Sequence, residues 1–499
     1  MHDLRPFWGI EPANIRKLAA YMHKTSDGIS GMHIRNKKVK EMTNANWREE
    51  AFRKSIRPFV KFLPDIDISM NIHDQPRVAV PWDDMQELLR LEVANRHINP
   101  DTLPQFSQGL SNLYDAKTSS PETIDPNFFG ASREPYMSIA QEACPPLFQA
   151  RNQTVGFGSD WHRGIHGFIT NSNRSSDLRV VGPDIQDKHG LLFASSTMTA
   201  SRQLLPIFGE CKTNINSDIL FPANMYTMSD NRYVYDETYD IDWAEKNDTL
   251  LWRGVTSRGA NTIDNWEQMH RSRLVLLTNA TIQADKEVQI LSEDPDLKSS
   301  YHTFNHFNAS DFAAQHTDVS FTAGISCLPD CKFLGNFLSY KTVSELSKQF
   351  MSKYLIDVDG HSFSGRWYAF LKSKSLGIKI TIFREWHDSI LFAWRHFVPL
   401  DTSYEELYSI LTYFIGIGSA SSSLKEGALY VPRHEFAVRR LGKQGREWAG
   451  KVLRREDNDI YTFRLLLEYA RVSDDNRHPI GYGGDGSEMD EFDERHPFP

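Results

Sequence analysis

The sequence predicts an α/β protein built around an open, mostly parallel sheet and divided into more than one domain. Three observations carry this. The chain has 499 residues, more than one hydrophobic core usually organises. From Thr249 onward, strand-like runs alternate with glycine-bearing turns and helical stretches, the repeating unit of a parallel sheet with helical crossovers. Before Thr249 the apolar runs are shorter and are broken by Pro, Gly, Ser and Asn, so the first half has a different texture.

Taken in order, Ile15 to His23 and Trp47 to Phe59 read as helices. Ile66, Ile68 and Met70 then alternate with polar residues, the spacing of a strand that puts Asp65 and Asp67 on its solvated face. The strand runs into His73-Asp-Gln-Pro-Arg-Val78, a loop by its Asp and Pro content. Residues 100–240 carry short apolar runs between turn-forming residues, so short strands bearing long loops are expected there. Thr249 to Trp252 is a strand, Arg253 to Gly259 a turn, and Arg273 to Leu277 a further strand. Lys353 to Val358 is a strand, Asp359 to Gly365 a turn, Arg366 to Leu371 a helix, and Leu376 to Ile382 a strand. Ser403 to Ile415 reads as a helix opened by a capping box of Ser403 and Glu406. Helices follow at His434 to Leu453 and Asp459 to Val472, and the Gly-, Asp- and Glu-rich tail beyond Asp474 is expected to be disordered.

The net charge of −9, with no basic stripe, argues against a nucleic-acid partner. No apolar run has the length of a membrane span and the first residues lack a signal-peptide pattern, so membrane attachment is expected only through an anchor absent from this chain. Four cysteines are too few for a disulfide scaffold; Cys327-Leu-Pro-Asp-Cys331 admits a local disulfide or two thiols and is no zinc pattern.

Ligands of open α/β sheets bind beyond the carboxyl ends of the strands, and three turns there carry suitable groups. Arg253, Gly254, Ser257, Arg258 and Gly259 combine guanidinium forks with close backbone approach and suit a diphosphate, although a solvated Arg-rich turn fits as well. Asp359-Gly360-His361-Ser362-Phe363-Ser364-Gly365-Arg366 offers Ser364 or Ser362 as a helix cap. A cation such as Arg366 in a first helical turn opposes the helix dipole, an arrangement an intervening anion would explain. Glu385, after the last strand, suits ribose or sugar hydroxyls, or an ion pair with a neighbouring Arg. Asp357-Val-Asp359 invites Mg²⁺ or Mn²⁺, but with Arg253, Arg258 and Arg366 to neutralise phosphate no metal is required. A proton acceptor for a substrate hydroxyl must come from elsewhere. Asp74, in a loop directly after a strand, stiffened by Pro76 and flanked by His73 and Arg77, is the candidate; a turn or N-cap aspartate is the commoner fate of such a residue.

Several of these segments together resemble glycosyltransferase family 90, which includes fungal capsule-associated xylosyltransferases and animal protein O-glucosyltransferases. The resemblance rests on Lys353 to Arg366, Ser373 to Lys379, Phe383-Arg-Glu-Trp386 and His396-Phe-Val-Pro399. It extends to Asp3 to Gly9, Leu63 to Asp67, Asn71 to Val78, Trp252-Arg-Gly254 and Phe463 to Arg471. It implies a GT-B fold of two Rossmann-like domains facing across a cleft, with C-terminal helices. Residues 1–245 would form the acceptor-side domain carrying the base and 246–425 the nucleotide-sugar domain. Residues 426–473 would pack across both, leaving 474–499 as an acidic tail. It implies inverting transfer of glucose or xylose from a UDP-sugar to a glycan or glycoprotein hydroxyl in the secretory pathway, with no required cofactor. Asp74 maps to the base, with His73 and Arg77 on the acceptor side. Arg253, Gly254, Ser257, Arg258, Asp359, Gly360, Ser364, Arg366 and Glu385 map to the donor side. The animal members lack an acidic pair where this chain has Asp357 and Asp359, so Mn²⁺ or Mg²⁺ stays open. A non-catalytic glycan- or nucleotide-sugar-binding protein of the same fold is the alternative.

Overall fold

The computed structural model describes residues 2–43, 46–95, 105–107, 125–130, 136–152, 154, 163–164, 166–196, 199–257, 259–293, 300–419, 429–480, 491 and 494–495. Among them the chain is a mixed α/β protein organised on two five-stranded sheets. The first is built from β1 (Ile29–Arg35), β2 (Lys38–Met42), β3 (Ile66–Asn71), β4 (Ile207–Gly209) and β5 (Ile219–Leu220), in the order β2-β1-β3-β4-β5. β1 runs antiparallel to β2 and β3, whereas β3, β4 and β5 are parallel.

β3 is covered on both faces, which corrects the reading of Asp67 as solvated. Ile66, Ile68 and Met70 join Phe52, Phe208 and Tyr469 in one core. On the other face Ser69 Oγ donates to the Ala19 carbonyl of α1 (Pro12–Thr25), and Asp67 is held by His33 and Arg35 at 3% exposure. Alternation marks a polar face without saying whether it meets water; here its groups are buried and paired. α2 (Trp47–Ile56) and the short α3 (Gly190–Ala194) flank this half.

The second sheet contains β6 (Asn247–Val255), β7 (Thr317–Ala323), β8 (Ser352–Val358), β9 (Leu376–Ile380) and β10 (Val398–Pro399), ordered β7-β6-β8-β9-β10 and parallel throughout. Every residue of β8 and β9 is buried, as expected for strands sandwiched between layers. The run expected as a strand at Arg273 to Leu277 is instead the end of helix α4 (His270–Leu277), since a short apolar run does not by itself declare its period. The capping box also fails. Asp401 Oδ1 takes the Ser403 amide and hydroxyl at 2.9 and 2.6 Å, a local turn that competes with capping, and the helix begins at Leu407.

After α5 (Trp367–Lys372) and α6 (Leu407–Ile415) come two long helices, α7 (Glu435–Val452) and α8 (Arg455–Val472). α7 packs on α5 and β9. α8 crosses back and inserts Leu465, Leu466, Tyr469, Ala470 and Val472 into the core of the first sheet. The packed chain continues past Asp474, because Asp474 and Arg477 are buried and Arg477 Nη1 donates to the Ile10 carbonyl at 2.8 Å. Residues 475–480 therefore depart from the disorder expected beyond Asp474, and most of the remaining tail lies outside the described residues. Cys327 and Cys331 form a disulfide. No helix among the described residues is long and apolar enough to cross a membrane.

The two sheets meet along a seam. Lys212 and Arg384 exchange backbone hydrogen bonds of 3.1 and 2.6 Å across it. One apolar cluster combines Leu191, Leu192, Cys211 and Ala223 from the first half with Phe363, Ile382 and Phe383 from the second.

Candidate active site at the seam

The turns that follow β6, β8 and β9 lie together because all three strands are parallel and end on the same edge. β6 is longer than read: Arg253 and Gly254 belong to the strand. Arg253 is consequently committed to the sheet, donating to the Trp252 carbonyl and to Asp318 of β7 through both its carbonyl and its carboxylate, at 3.0, 2.6 and 2.6 Å. Gly254 serves packing, since a Cβ there would sit 2.5 Å from the Trp252 ring. Arg258 lies outside the described residues.

The guanidinium that does occupy the strand ends is one the sequence reading missed, Arg271 of α4. Its Nη1 donates to the Val255 carbonyl (3.0 Å) and Ser257 Oγ (2.8 Å), its Nε to the Asp359 carbonyl (2.7 Å) and its Nη2 to the Val358 carbonyl (2.9 Å). It ties the end of β6 to the end of β8 and has no ion pair among the described residues. Burial, and then the neighbouring Arg366, pull its pKa down to about 10. Gly360 permits this closeness, because a Cβ would lie 2.8 Å from both Arg271 Nη2 and Ser257 Oγ.

Arg366 stands at the N-cap position of α5, and its Nη1 donates to the Arg253 carbonyl at 2.6 Å. Neither Ser362 nor Ser364 caps α5. Asp357, at the end of β8, is buried, which raises its pKa to about 6 against the attraction of Lys379 and Arg366. Glu385, read as a hydroxyl contact, is 4% exposed and both its oxygens are in use, accepting from Tyr226 Oη (2.5 Å) and Lys379 Nζ (3.0 Å). The pair is structural, with Lys379 taking the role expected of an arginine.

Asp359 joins the two halves. Its Oδ1 lies 3.1 Å from His189 Nε2, just before α3, and 3.2 Å from His270 Nε2 in α4. Its Oδ2 accepts from Thr381 Oγ1 and the Ile382 amide, each at 2.9 Å. His189, His270 and Asp359 bring three ligand-type atoms within 4.8 Å of one another, but their geometry does not suit an ion. The imidazoles are stacked face to face, 4.0 Å between centroids and 6° from parallel. In-plane nitrogen lone pairs on parallel rings point side by side and cannot converge at the roughly 2 Å a metal–nitrogen bond requires. His189 Nδ1 already accepts from the Leu191 amide at 3.2 Å, which leaves its Nε2–H to donate to Asp359. Asp357 and Asp359 serve different partners, so the Asp-Val-Asp pair presents no shared face.

Across the seam, Asp74 follows β3 in the loop predicted for it. Its side chain is 42% exposed, one oxygen being held by Arg48 Nη2 of α2. The Asp74 carbonyl lies 3.8 Å from Sγ of Cys211, a member of the interface cluster that also contains Phe363. His73 is exposed beside it. Arg77 is not at the surface. It is 1% exposed, its guanidinium donates to the Asp27 carbonyl (3.0 Å) and lies 4.6 Å over the Phe128 ring, and burial draws its pKa down to about 10. Asp218 fixes the Arg77 and Val78 amides at 2.8 and 3.0 Å. The loop is braced from beneath by Arg77, so the expected acceptor contact becomes a support.

The arrangement offers a half-exposed carboxylate on one side of the seam and paired cationic turns on the other, a constellation suited to group transfer from an anionic leaving group. A family model described as glycosyl transferase family 90 matches residues 184–477. That span takes in β4, the whole second sheet, its turns and α8, and on this match the chain belongs to glycosyl transferase family 90.

Proposed function

We propose that this glycosyltransferase moves glucose or xylose from a UDP-sugar to a hydroxyl of a glycan or glycoprotein with inversion at the anomeric carbon. In this reading the chain is a GT-B enzyme. Residues 1–245 carry the acceptor and the base, residues 246–425 carry the donor, and the work is done in the secretory pathway. Asp74 removes the acceptor proton as that oxygen attacks the anomeric carbon. The bond to the β-phosphate breaks, and its electron pair leaves with UDP. Arg366 and Arg271, with Ser257 and Arg258, offset the charge growing on the diphosphate, and no metal is required. What supports the reading is a half-exposed Asp74 carboxylate in a loop that borders the seam through Cys211, together with two buried guanidiniums at the carboxyl ends of β6 and β8 in the other half. Charge stabilisation by such fixed donors is usually the largest catalytic contribution.

The test uses UDP-glucose and UDP-xylose with a panel of oligosaccharide and peptide acceptors, scored by UDP release and by the configuration of the product. Asp74→Asn should keep its UDP-induced rise in melting temperature while transfer falls about 10²–10⁴-fold, the range of general-base contributions. Transfer near the wild-type rate by that variant, or a product of retained configuration, would remove Asp74 from the mechanism.

A further inference from the structure

Arg48 has a position that helix formation does not ask for. It sits in the first turn of α2, where a cation opposes the helix dipole, and the end of that helix is already capped by Asn46, whose Oδ1 accepts from the Arg48 amide at 2.9 Å. The side chain turns away to meet three groups from two segments of the first half, the loop after β3 and the end of β4. Nη2 donates to Asp74 Oδ1, Nη1 to the Ile72 carbonyl at 2.9 Å, and Nε to Glu210 Oε2 at 3.1 Å. Glu210, which directly follows β4, is itself fixed by the Asn224 amide, 3.0 Å from Oε1. Arg48 and Glu210 are 8% and 6% exposed at their side chains, whereas Asp74 is 42% exposed. Burial opposes the charge on Arg48, but the two carboxylates outweigh it and raise its pKa, so it stays a cation.

We propose that Arg48 and Glu210 are positioning residues that together hold and tune Asp74 for proton transfer, an inference that rests on the reading of Asp74 as the base. Arg48 anchors one carboxylate oxygen of a side chain that stays 42% exposed, the fixed yet accessible orientation a base needs. An arginine beside a carboxylate also stabilises the charged form and weakens it as a proton acceptor. Glu210 counters that effect by sharing the guanidinium. A base tied to an unshared cation would be well oriented but weak, and one with no cation would be strong but loose.

The two partners therefore have opposite effects on the pH dependence of turnover. Glu210→Gln leaves the whole cation to Asp74 and should move the acidic limb of the kcat/KM profile down by about one pH unit, with a lower plateau. Arg48→Gln removes the cation and should move the same limb up by a similar amount, with a plateau about 10–100-fold lower from lost orientation. Arg48→Lys keeps the charge without the fork and should leave the limb near its wild-type position while restoring only part of the plateau. Each variant is checked for a retained UDP-induced thermal shift, and KM for the donor should change little. If Arg48→Gln does not fold, the downward shift in Glu210→Gln decides alone. Limbs that stay in place while Asp74→Asn is inactive would overturn the clamp and leave the base standing. An active Asp74→Asn would overturn the base itself.

Discussion

At the scale of single residues, identity was legible and partnership was not. Arg253 and Arg271 are both arginines near the end of β6, yet one is locked onto Asp318 and the other braces the strand ends. The sequence pointed to the first because it stood in a glycine-bearing turn, and it passed over the second, which lies just ahead of the run read as a strand from Arg273 to Leu277. The loop of Asp74 was legible from its Asp and Pro content after a strand, but its partner Arg48 was not, and neither was the partner of Glu385, because Lys379 is on the preceding strand. Arg366 stands at the N-cap of α5 with its Nη1 on the Arg253 carbonyl, so Arg366→Gln should lower kcat/KM about 10²–10³-fold, measured as UDP release under subsaturating donor. Gly360→Ala would place a methyl 2.8 Å from Arg271 Nη2 and 3.0 Å from the Ser257 carbonyl. It should destabilise the fold by about 1–3 kcal/mol and weaken UDP binding in the same titration, since it pushes apart the two turns that would hold the diphosphate.

At the scale of elements, β8 was legible from Tyr354-Leu-Ile356 and β9 from the alternation of Leu376, Ile378 and Ile380, although the burial of Asp357 and Lys379 within them was not. α4 was not, since its signal lies in His270 and Arg271, polar residues whose burial no periodicity announces. The stacked imidazoles between α3 and α4 give this contact a pH dependence. Burial, followed by the neighbouring His189, pulls the His270 pKa down to about 3, against about 6.5 in an unfolded chain. Between those values the unfolded state binds a proton that the folded state refuses, so the His270 contribution to stability grows as pH rises and is lost as pH falls. Asp359 acts in the same direction, because His189 and His270 outweigh burial and hold its pKa below the usual carboxylate range. Asp357 and Asp218, both raised to about 6 by burial, act in the opposite direction between the ordinary carboxylate range and pH 6. The informative measurement is therefore a difference: urea unfolding of His270→Gln and wild type between pH 4 and 7. The gap in stability should narrow as pH falls, and a gap independent of pH would count against His270 as a titrating group.

At the scale of the whole molecule, the residue pattern announced two halves of different texture, and the return of α8 was implied only by the family resemblance, which has residues 426–473 packing across both. The amphipathic pattern of α8 declares a buried face without naming what covers it. Leu465, Leu466 and Tyr469 are each at most 2% exposed within the first-sheet core. At about 1.5–3 kcal/mol for each large apolar side chain removed from water, losing them approaches the whole 5–15 kcal/mol margin of a typical domain. A chain ending at Leu453, or residues 1–245 alone, should accordingly be insoluble or bind a hydrophobic dye strongly, whereas a chain ending at Ile480 should behave as the full protein. Because α8 is a wall of the core that Leu4, Phe7 and Ile15 begin, the earliest part of the chain cannot close until Val472 has been made. At about 5–20 residues per second, it waits tens of seconds with apolar surface uncovered, which makes this protein a natural client for chaperones and makes a stop codon just before α8 as damaging as one in the middle.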